Sequence, residues 1–260
     1  MGQRKILFFD IDDTIFSRKT HRIPESTKNA IKQAKEKGHL VFVNTGRTKA
    51  VIGDDIKELN FDGYVCGCGT YIEVNDEVLY YKQLEKEKYE DIVSALKKYD
   101  LNGILEGKEA LYVDKDKQAD EFLTKLKKEN YPIKPYDMEN MIFDKVFIRY
   151  DENKYIDNFS EDIKEIFDYI DHGKGRREFV PKGHSKASGI DFLLEHFNID
   201  REDTFAFGDS NNDISMLENV ANSIVMGNGN PELFEKAKFV TKDIDEDGIE
   251  HAMKYFKIID

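Results

Sequence analysis

The sequence lacks the features of a disulfide-stapled or membrane-spanning protein. Among its 260 residues there are two cysteines and no tryptophan. Two thiols, Cys66 and Cys68, cannot build a disulfide framework or a four-thiolate zinc site. No apolar run approaches the roughly 18 residues of a transmembrane helix, and the short apolar run near the N-terminus ends in acids instead of a signal-peptide cleavage site. We therefore expect a cytoplasmic location.

Positive charge is also scarce. The 39 lysines and arginines are outnumbered by 52 aspartates and glutamates, and the formal net charge is −13. Because most of such a surface repels a polyanion, nucleic acid and anionic membrane are excluded as main partners. A small anionic metabolite needs only a local cationic pocket, so it is the expected partner. We expect a monomer or a weak homodimer.

Both ends of the chain alternate between strand and helix patterns. "KILFFDI" and "HLVFVNT" are apolar runs typical of strands buried on both faces, and "PESTKNAIKQAKEKG" between them has one apolar helical face. The sequence continues with a helix in "KAVIGDDIKELN", a strand in "GYVCG" and a hairpin turning at Asn75-Asp76. Strands in "TFAFGDS", "NSIVMG" and "KFVT" alternate with helices near the C-terminus. This alternation predicts an α/β fold with a doubly wound parallel sheet.

Residues 82–180 follow a different pattern. Helices are predicted in "EKEKYEDIVSALKKY", "ADEFLTKLKKE" and "NFSEDIKEIFDYI", and strands near "GILEG", "ALYVD", "KVFIRY" and "REFVP". Strands flanked by helices in this order indicate a separate α+β module. We therefore predict a discontinuous α/β domain, residues 1–81 and 181–260, interrupted by an α+β domain of residues 82–180.

Polar residues cluster where the predicted strands of the α/β domain end. In open α/β sheets, ligands bind beyond the carboxyl ends of the strands. Two acidic clusters, a hydroxyl and a lysine at such positions fit a divalent cation and a phosphate better than an apolar ligand. The clusters are Asp10-x-Asp12-x-Thr14, Asn44-Thr45-Gly46-Arg47, Lys186 in "GHSKASG", and Asp209-Ser-Asn-Asn212-Asp213.

The acidic residues require a counter-charge if they meet. Carboxylates within ~4 Å of one another repel by roughly 4 kcal/mol per pair at an effective dielectric constant near 20. A bound cation offsets this repulsion, and oxygen-only ligands favour Mg²⁺, which leaves room for water and a phosphate oxygen. Each acid taken alone also fits a helix cap or a solvated turn. The two clusters together predict a magnesium site.

The four clusters resemble, in order, the four motifs of the haloacid dehalogenase (HAD) superfamily of phosphohydrolases. The matching residues are "DIDDT", "TGR", a lysine after a long interval, and "GDSNND". Thr45 and Lys186 lie 141 positions apart, so the inserted module falls between the second and third motifs. This placement is similar to the Cof-like branch with a C2-type cap. Its members mostly hydrolyse small phosphomonoesters such as sugar phosphates, flavin mononucleotide or pyridoxal phosphate.

The resemblance implies roles for the matched residues around the phosphate. Asp10 is the nucleophile that becomes an aspartyl phosphate, and Asp12 is the acid and base. Thr45 and the backbone N–H of Gly46 bind phosphate oxygens. Lys186, in the first turn of a helix, neutralises phosphate and nucleophile together. The implied activity is a Mg²⁺-dependent phosphatase whose inserted cap closes over the site and reads the leaving group.

The resemblance also implies the metal ligands. Asp209 completes the metal site with Asp10 and the main-chain carbonyl of Asp12. Asp213 acts behind these ligands, and Asn212 contacts the phosphate. The expected cofactor is therefore Mg²⁺.

Several assignments stay open at this stage. Arg47 either reaches the leaving group or bridges to the inserted module, and Thr14 supports its loop more than it touches substrate. Asp13 and Cys68 stand where many relatives have Gly and Asn, and either departure could alter substrate preference. A phosphomutase or a phospho-acceptor regulatory protein would use the same aspartate. The first usually carries its cap after the first motif, and the second has no cap.

Overall fold

The computed structural model describes residues 3–117, 121–128, 130–150 and 155–260. The chain divides into two compact units. The first unit comprises Met1–Gly46, Gly53–Leu79 and Ser185–Asp260. The second comprises Arg47–Ile52 and Tyr80–His184. Within the described residues, no helix combines the length and the apolar character needed to cross a membrane.

The described residues form fourteen strands. They are β1 (Ile6–Phe9), β2 (Leu40–Asn44), β3 (Gly63–Cys66), β4 (Tyr71–Val74), β5 (Glu77–Tyr81), β6 (Asn102–Glu106), β7 (Leu111–Val113), β8 (Ile133–Pro135), β9 (Lys145–Arg149), β10 (Phe167–Asp171), β11 (Arg176–Pro181), β12 (Thr204–Gly208), β13 (Asn222–Val225) and β14 (Phe239–Val240).

Eight α-helices occur in the same part of the chain. They are α1 (Glu25–Glu36), α2 (Asp54–Lys57), α3 (Glu87–Lys98), α4 (Glu121–Lys128), α5 (Ile156–Asp162), α6 (Lys186–Phe197), α7 (Ile214–Glu218) and α8 (Gly248–Tyr255).

The first unit contains an eight-stranded sheet in the order β14-β13-β12-β1-β2-β3-β4-β5. The strands from β14 to β3 run parallel, and β4 is antiparallel to β3. All four side chains of β1 are fully buried, as expected for a strand covered on both faces. β1 pairs with β2 on one side and with β12 on the other. The strands that follow β1 in the chain extend the sheet on the β2 side, and the strands that follow β12 extend it on the other side. The carboxyl ends of β1 and β12 therefore lie at the switch point of the sheet.

The second unit contains a six-stranded sheet in the order β10-β11-β9-β6-β7-β8. Most neighbours in this sheet are antiparallel, while β7 and β8 are parallel. Apolar side chains of β6, β9 and β11 pack with those of α3 and α5 in one buried cluster. The separate sheet and its own core are those of an α+β module.

Most predicted elements of the α/β part are present. The hairpin between β4 and β5 turns at Asn75 and Asp76, whose φ angles of 48° and 65° are both positive, as a type I′ turn requires. The predicted helix in "KAVIGDDIKELN" is wrong as a single element. A 3₁₀ turn, Lys49–Val51, and α2 are separated by Ile52 and Gly53, which are extended.

Two predictions in the middle of the chain also need correction. The helix predicted for "NFSEDIKEIFDYI" ends with α5, and its second half forms β10. Pairing of β10 with β11, which places Tyr169 opposite Phe179, outweighs the local helical pattern. Between the segments "ADEFLTKLKKE" and "KVFIRY", where no strand was predicted, lies β8, which pairs with β7. The helix predicted from residue 119 appears as α4, and residues 119, 120 and 129 lie outside the described part of the chain.

Candidate active site

Two aspartates follow neighbouring strands at the centre of the first sheet. Asp10 comes directly after β1, and Asp209 comes directly after β12. The two strands are parallel and in register, with Phe9 opposite Phe207, and the N–H of Asp10 donates to the carbonyl of Phe207 at 3.0 Å. Both aspartates are buried. The sheet therefore brings together two carboxylates that are almost 200 positions apart in the sequence.

Lys186 enters this cluster from the first turn of α6. Ser185 is the N-cap, and it exchanges hydrogen bonds with Ser188 in a capping box. The Lys186 side chain is fully buried, and its Nζ donates to Asp10 Oδ1 at 2.6 Å and to Asp213 Oδ1 at 2.5 Å. The cap fixes where the helix begins, and so it fixes the point from which the lysine reaches the acids.

Asp213 contacts both Lys186 and the loop after β12. Its Oδ1 accepts from Lys186, and its Oδ2 accepts from the N–H groups of Asp209 and Ser210 at 2.9 and 3.0 Å. These contacts agree with the expectation that it acts behind the metal ligands, which stays a prediction. The side chain is fully buried. A Cβ on Gly208 would lie 2.7 Å from its carboxyl carbon, so this approach requires glycine at position 208.

The cluster has more negative charge than its lysine balances. Oxygens of Asp10, Asp209 and Asp213 lie within 4.8 Å of one another. Burial raises the pKa of Asp10 to about 7, with Asp213 and Asp12 adding to the rise and Lys186 opposing it. Burial, then the charges of Asp10 and Asp213, raise the pKa of Asp209 to about 8. An oxygen-only set of this kind fits a hard divalent cation such as Mg²⁺, which would lower both values.

The same carboxylates act on the lysine in the opposite sense. Burial lowers the pKa of Lys186, but the charges and hydrogen bonds of Asp10 and Asp213 outweigh burial, and the net shift is upward. Lys186 is therefore a permanent cation in this cluster at neutral pH. Thr14, which is fully buried, donates from its hydroxyl to Asp209 Oδ1 at 3.4 Å, consistent with a supporting role.

The remaining predicted residues occupy the surrounding loops. Asp12 is half-buried, and its backbone forms an isolated β-bridge with that of Phe16. Thr45 is buried, and its backbone N–H donates to Val65 while its carbonyl accepts from the N–H of Cys68 at 3.1 Å. Gly46 follows Thr45 and is half-buried. These positions continue the same edge of the sheet, after β1 and β2.

Asn212 and Arg47 each form a hydrogen bond within their own loop. Asn212 Oδ1 accepts from the Ser210 hydroxyl at 2.6 Å in the turn that precedes α7. Arg47 belongs to the second unit, where its Nη1 donates to the carbonyl of Val51 at 3.4 Å. Both roles considered for Arg47 stay predictions.

Sequence reasoning gave no role to Asn44, the last residue of β2. Its side chain is fully buried, and its Nδ2 donates to the main-chain carbonyl of Lys186 at 2.9 Å. Among the described residues, nothing donates to its Oδ1. The contact joins β2 to the first turn of α6, across 142 positions of sequence. The one available signal was a polar residue ending an otherwise apolar strand next to Thr45.

This arrangement of acids and lysine at the switch point of a doubly wound sheet agrees with the family comparison. The model of the haloacid dehalogenase-like hydrolase family matches residues 7–253, and the chain belongs to this family. The resemblance inferred from the four motifs and the predicted fold class, an α/β core with an inserted module, are thereby confirmed.

Individual relatives cover nearly the whole chain. The protein YkrA of Bacillus subtilis (strain 168) is 32% identical, over 96% of this chain and 96% of that protein. The structure of the HAD subclass IIB sugar phosphatase BT4131 has 33% identity and a TM-score of 0.85, covering 98% of this chain and 100% of that one. A structure described as showing a trigonal-bipyramidal intermediate in a phosphoryl-transfer superfamily has 32% identity and a TM-score of 0.85, covering 99% and 100%.

Proposed function

We propose that this protein, a phosphatase of the HAD-like hydrolase family, hydrolyses a small phosphomonoester through an aspartyl-phosphate intermediate at Asp10 and requires Mg²⁺. One observation carries the proposal. Lys186 is buried between Asp10 and Asp213, next to Asp209, at the switch point of the sheet. Such a cluster supplies a nucleophilic carboxylate together with the cation needed to bring a phosphate beside it.

The first half-reaction transfers the phosphoryl group to the protein. An Asp10 carboxylate oxygen attacks phosphorus, and the bond from phosphorus to the leaving oxygen breaks. Asp12 donates a proton to that oxygen, so the product leaves as a neutral alcohol. Lys186 stays hydrogen-bonded to Asp10 and reduces the repulsion between the carboxylate and the phosphate.

The second half-reaction restores the protein. Asp12, now ionised, takes a proton from water, and the resulting oxygen attacks phosphorus and breaks the bond to Asp10. Inorganic phosphate leaves with the Asp10 carboxylate regenerated. The Thr45 hydroxyl, the Gly46 N–H and the Asn212 side chain hold phosphate oxygens through both steps. Asp12 alternates between acid and base, so each turnover begins with Asp12 protonated.

Mg²⁺ is the proposed cofactor, held by Asp10, Asp209 and the main-chain carbonyl of Asp12. When bound, it supplies positive charge that keeps Asp10 ionised and offsets the charge of the phosphate. Asp213 supports this set by fixing the backbone of Asp209 and by holding Lys186. The raised pKa values of Asp10 and Asp209 support this assignment. Without a cation both carboxyls tend to be protonated near neutral pH, and a protonated carboxyl is a poor nucleophile and a poor ligand. A bound cation would keep both ionised.

The proposed substrate is a small phosphorylated metabolite of the sugar-phosphate class. The similarity to BT4131, which is itself a sugar phosphatase, supports this class. The second unit is proposed to be the cap of the Cof-like branch, and the cap predicted from the sequence, residues 82–180, lies within its segment Tyr80–His184. The net charge of −13 continues to argue against nucleic acid and anionic membrane as partners.

The test measures release of inorganic phosphate from an aryl phosphate with Mg²⁺, with EDTA, and with Asp10→Asn. We expect EDTA to abolish turnover, and Asp10→Asn to lower kcat by on the order of 10³-fold or more. Asp168→Asn, an exposed aspartate on β10, serves as the matched control and should keep wild-type turnover. Full activity of Asp10→Asn would refute the nucleophile assignment.

A second readout separates a hydrolase from the two alternatives. Rapid quenching should show a phosphoryl mass increase on the wild-type protein and none on Asp10→Asn. A persistent adduct without phosphate release would instead indicate a phospho-acceptor protein. Formation of an isomeric phosphate ester in place of free phosphate would indicate a phosphomutase.

A further inference from the structure

Asp13 has a backbone conformation that seldom carries a side chain. Its φ is 58°, in the left-handed region where glycine is favoured and Asp or Asn is tolerated. The turn is held by a hydrogen bond from the Asp13 N–H to the carbonyl of Phe16 at 2.8 Å. Glycine would satisfy this turn but would supply no carboxylate. The turn alone therefore does not explain why an aspartate occupies position 13.

That side chain holds Arg18. Asp13 Oδ2 accepts from Arg18 Nε at 2.6 Å, and Asp13 Oδ1 accepts from the Arg18 backbone N–H at 2.9 Å. The Arg18 side chain is 54% exposed, and that of Asp13 is 28% exposed. Among the residues that the structure describes, no group accepts a hydrogen bond from Arg18 Nη1 or Nη2. Asp13 therefore orients the Arg18 guanidinium through its Nε, and the two terminal nitrogens, Nη1 and Nη2, remain as donors.

The pair lies beside the acid cluster. The carbonyl of Asp13 accepts from Asn228 Nδ2 at 2.8 Å, and the carbonyl of Asp209 accepts from the N–H of Asn230 at 2.7 Å. Both acids are thus tied to one short segment, residues 228–230. Partial burial lowers the pKa of Arg18, but the carboxylates of Asp13, Asp12 and Asp209 outweigh burial and raise it. Arg18 is accordingly a permanent cation that interacts with these carboxylates.

We propose that Arg18, oriented by Asp13, binds a second anionic group on the leaving group, so that preferred substrates are phosphomonoesters bearing a carboxylate or a further phosphate. The inference rests on the proposed phosphatase function and specifies its substrate class. A guanidinium presents paired N–H donors that match the oxygens of a carboxylate or phosphate. Lys186 is buried against Asp10 and Asp213, whereas Arg18 is 54% exposed and keeps two donor nitrogens for a second anion.

The experiment compares matched pairs of substrates. The first pair is para-carboxyphenyl phosphate and para-carbamoylphenyl phosphate, which differ by one charge at nearly constant shape. The second pair is a sugar bisphosphate and the corresponding monophosphate. The readout is the ratio of kcat/KM within each pair, because a ratio cancels differences in the amount of folded protein. We expect the wild type to prefer the anionic member of at least one pair by about 5- to 30-fold.

The variants assign that preference. Arg18→Gln should reduce the ratio to about one, Arg18→Lys should retain part of it, and Asp13→Gly should lower it by releasing the guanidinium. Lys19→Gln removes a neighbouring, more exposed cation and should leave the ratio at the wild-type value. Raised salt should weaken the wild-type preference.

The outcomes separate the inference from the function beneath it. A wild type that hydrolyses both members of each pair with equal kcat/KM would overturn the role of Arg18 and leave the phosphatase proposal intact. A preference that survives Arg18→Gln would do the same. Failure to hydrolyse any of the four compounds would overturn both proposals.

Discussion

Each of the two units contains a lysine buried between two carboxylates, and the two clusters differ in electrostatic balance. In the first unit, Lys186 lies between Asp10 and Asp213, with Asp209 adjacent. In the second unit, Lys145 is buried between Glu106, at 3.1 Å, and Glu178. The second cluster has an additional basic neighbour, because His172 contacts Glu178 at 2.9 Å.

The pKa shifts show the difference. Burial alone would raise the pKa of Glu178, but Lys145 and His172 lower it to about 2. At Glu106 burial outweighs Lys145, and the pKa is raised. In the first unit the same kind of burial is not compensated, and the pKa values of Asp10 and Asp209 rise to about 7 and about 8. The second cluster has a lysine and a histidine for two glutamates, whereas the first has one lysine for three aspartates, so the first carries the larger uncompensated negative charge. Uncompensated buried charge of this kind is typical of a binding or catalytic site.

Replacing each lysine by methionine should show the largest difference between the two clusters, because one change should lower turnover and the other should lower stability. Lys186→Met should lower kcat by on the order of 10³-fold, since the phosphate and Asp10 would then face each other without this cation. Lys145→Met should lower the free energy of unfolding by about 3–5 kcal/mol, because two glutamates lose their buried partner. Aryl phosphate turnover and urea unfolding measure the two effects. Equal stability of Lys145→Met and the wild type would break the comparison.

Mg²⁺ and pH should act on the first cluster. Since Asp10 and Asp209 bind protons more tightly when folded than when unfolded, their contribution to stability falls as pH rises from about 4 to about 8 in the absence of a cation. Mg²⁺ binds the ionised forms, so the stabilisation it gives should grow over the same interval. At 100 times its dissociation constant it should reach about 2.7 kcal/mol.

The measurement is the thermal midpoint with Mg²⁺ minus that with EDTA, taken between about pH 5.5 and pH 8.5. Asp209→Asn should remove most of the difference. Glu178 has the opposite sign, because its lowered pKa stabilises the fold above about pH 4.5 and that contribution is lost only as pH falls towards 2. A Mg²⁺ effect that is constant with pH would show that Asp10 and Asp209 are already ionised in the free protein.

Asn44 should give the smallest effect. Asn44→Ala removes the hydrogen bond to the Lys186 carbonyl, and we expect a fall in kcat of about 3- to 10-fold, equivalent to about 0.5–1.5 kcal/mol. Stability should change little, because the change also removes a buried oxygen that has no donor among the described residues. Asn29→Ala, at an exposed position of α1, is the matched control. An unchanged kcat would show that the tether does not position the lysine.

The sequence predicted the parts of this protein that depend on local pattern. Continuous apolar runs identified β1 and β2, and the acids that follow such runs predicted where a site would form. Asn75-Asp76 predicted its hairpin because both residues tolerate positive φ. In these cases a few neighbouring residues determine the structure.

Features that depend on distant contacts were not predictable. β10 has an ambiguous local pattern, and its pairing with β11 decides its conformation. The direct contact of Asp213 with Lys186 depends on the relative positions of α6 and the loop after β12, which no motif spacing encodes. The contact between Asp13 and Arg18 could not be predicted without the geometry of the turn. The sequence showed only that an aspartate stands at position 13, where many relatives have glycine.

Asp213 shows how little chemical freedom this cluster has. One of its oxygens faces the ammonium of Lys186, and the other faces two backbone N–H groups. An asparagine of the same size would direct its NH₂ at one of these donors in either orientation of the amide. Two acceptors are needed at this position, so the substitution that is ordinarily the most conservative for aspartate is unsuitable here.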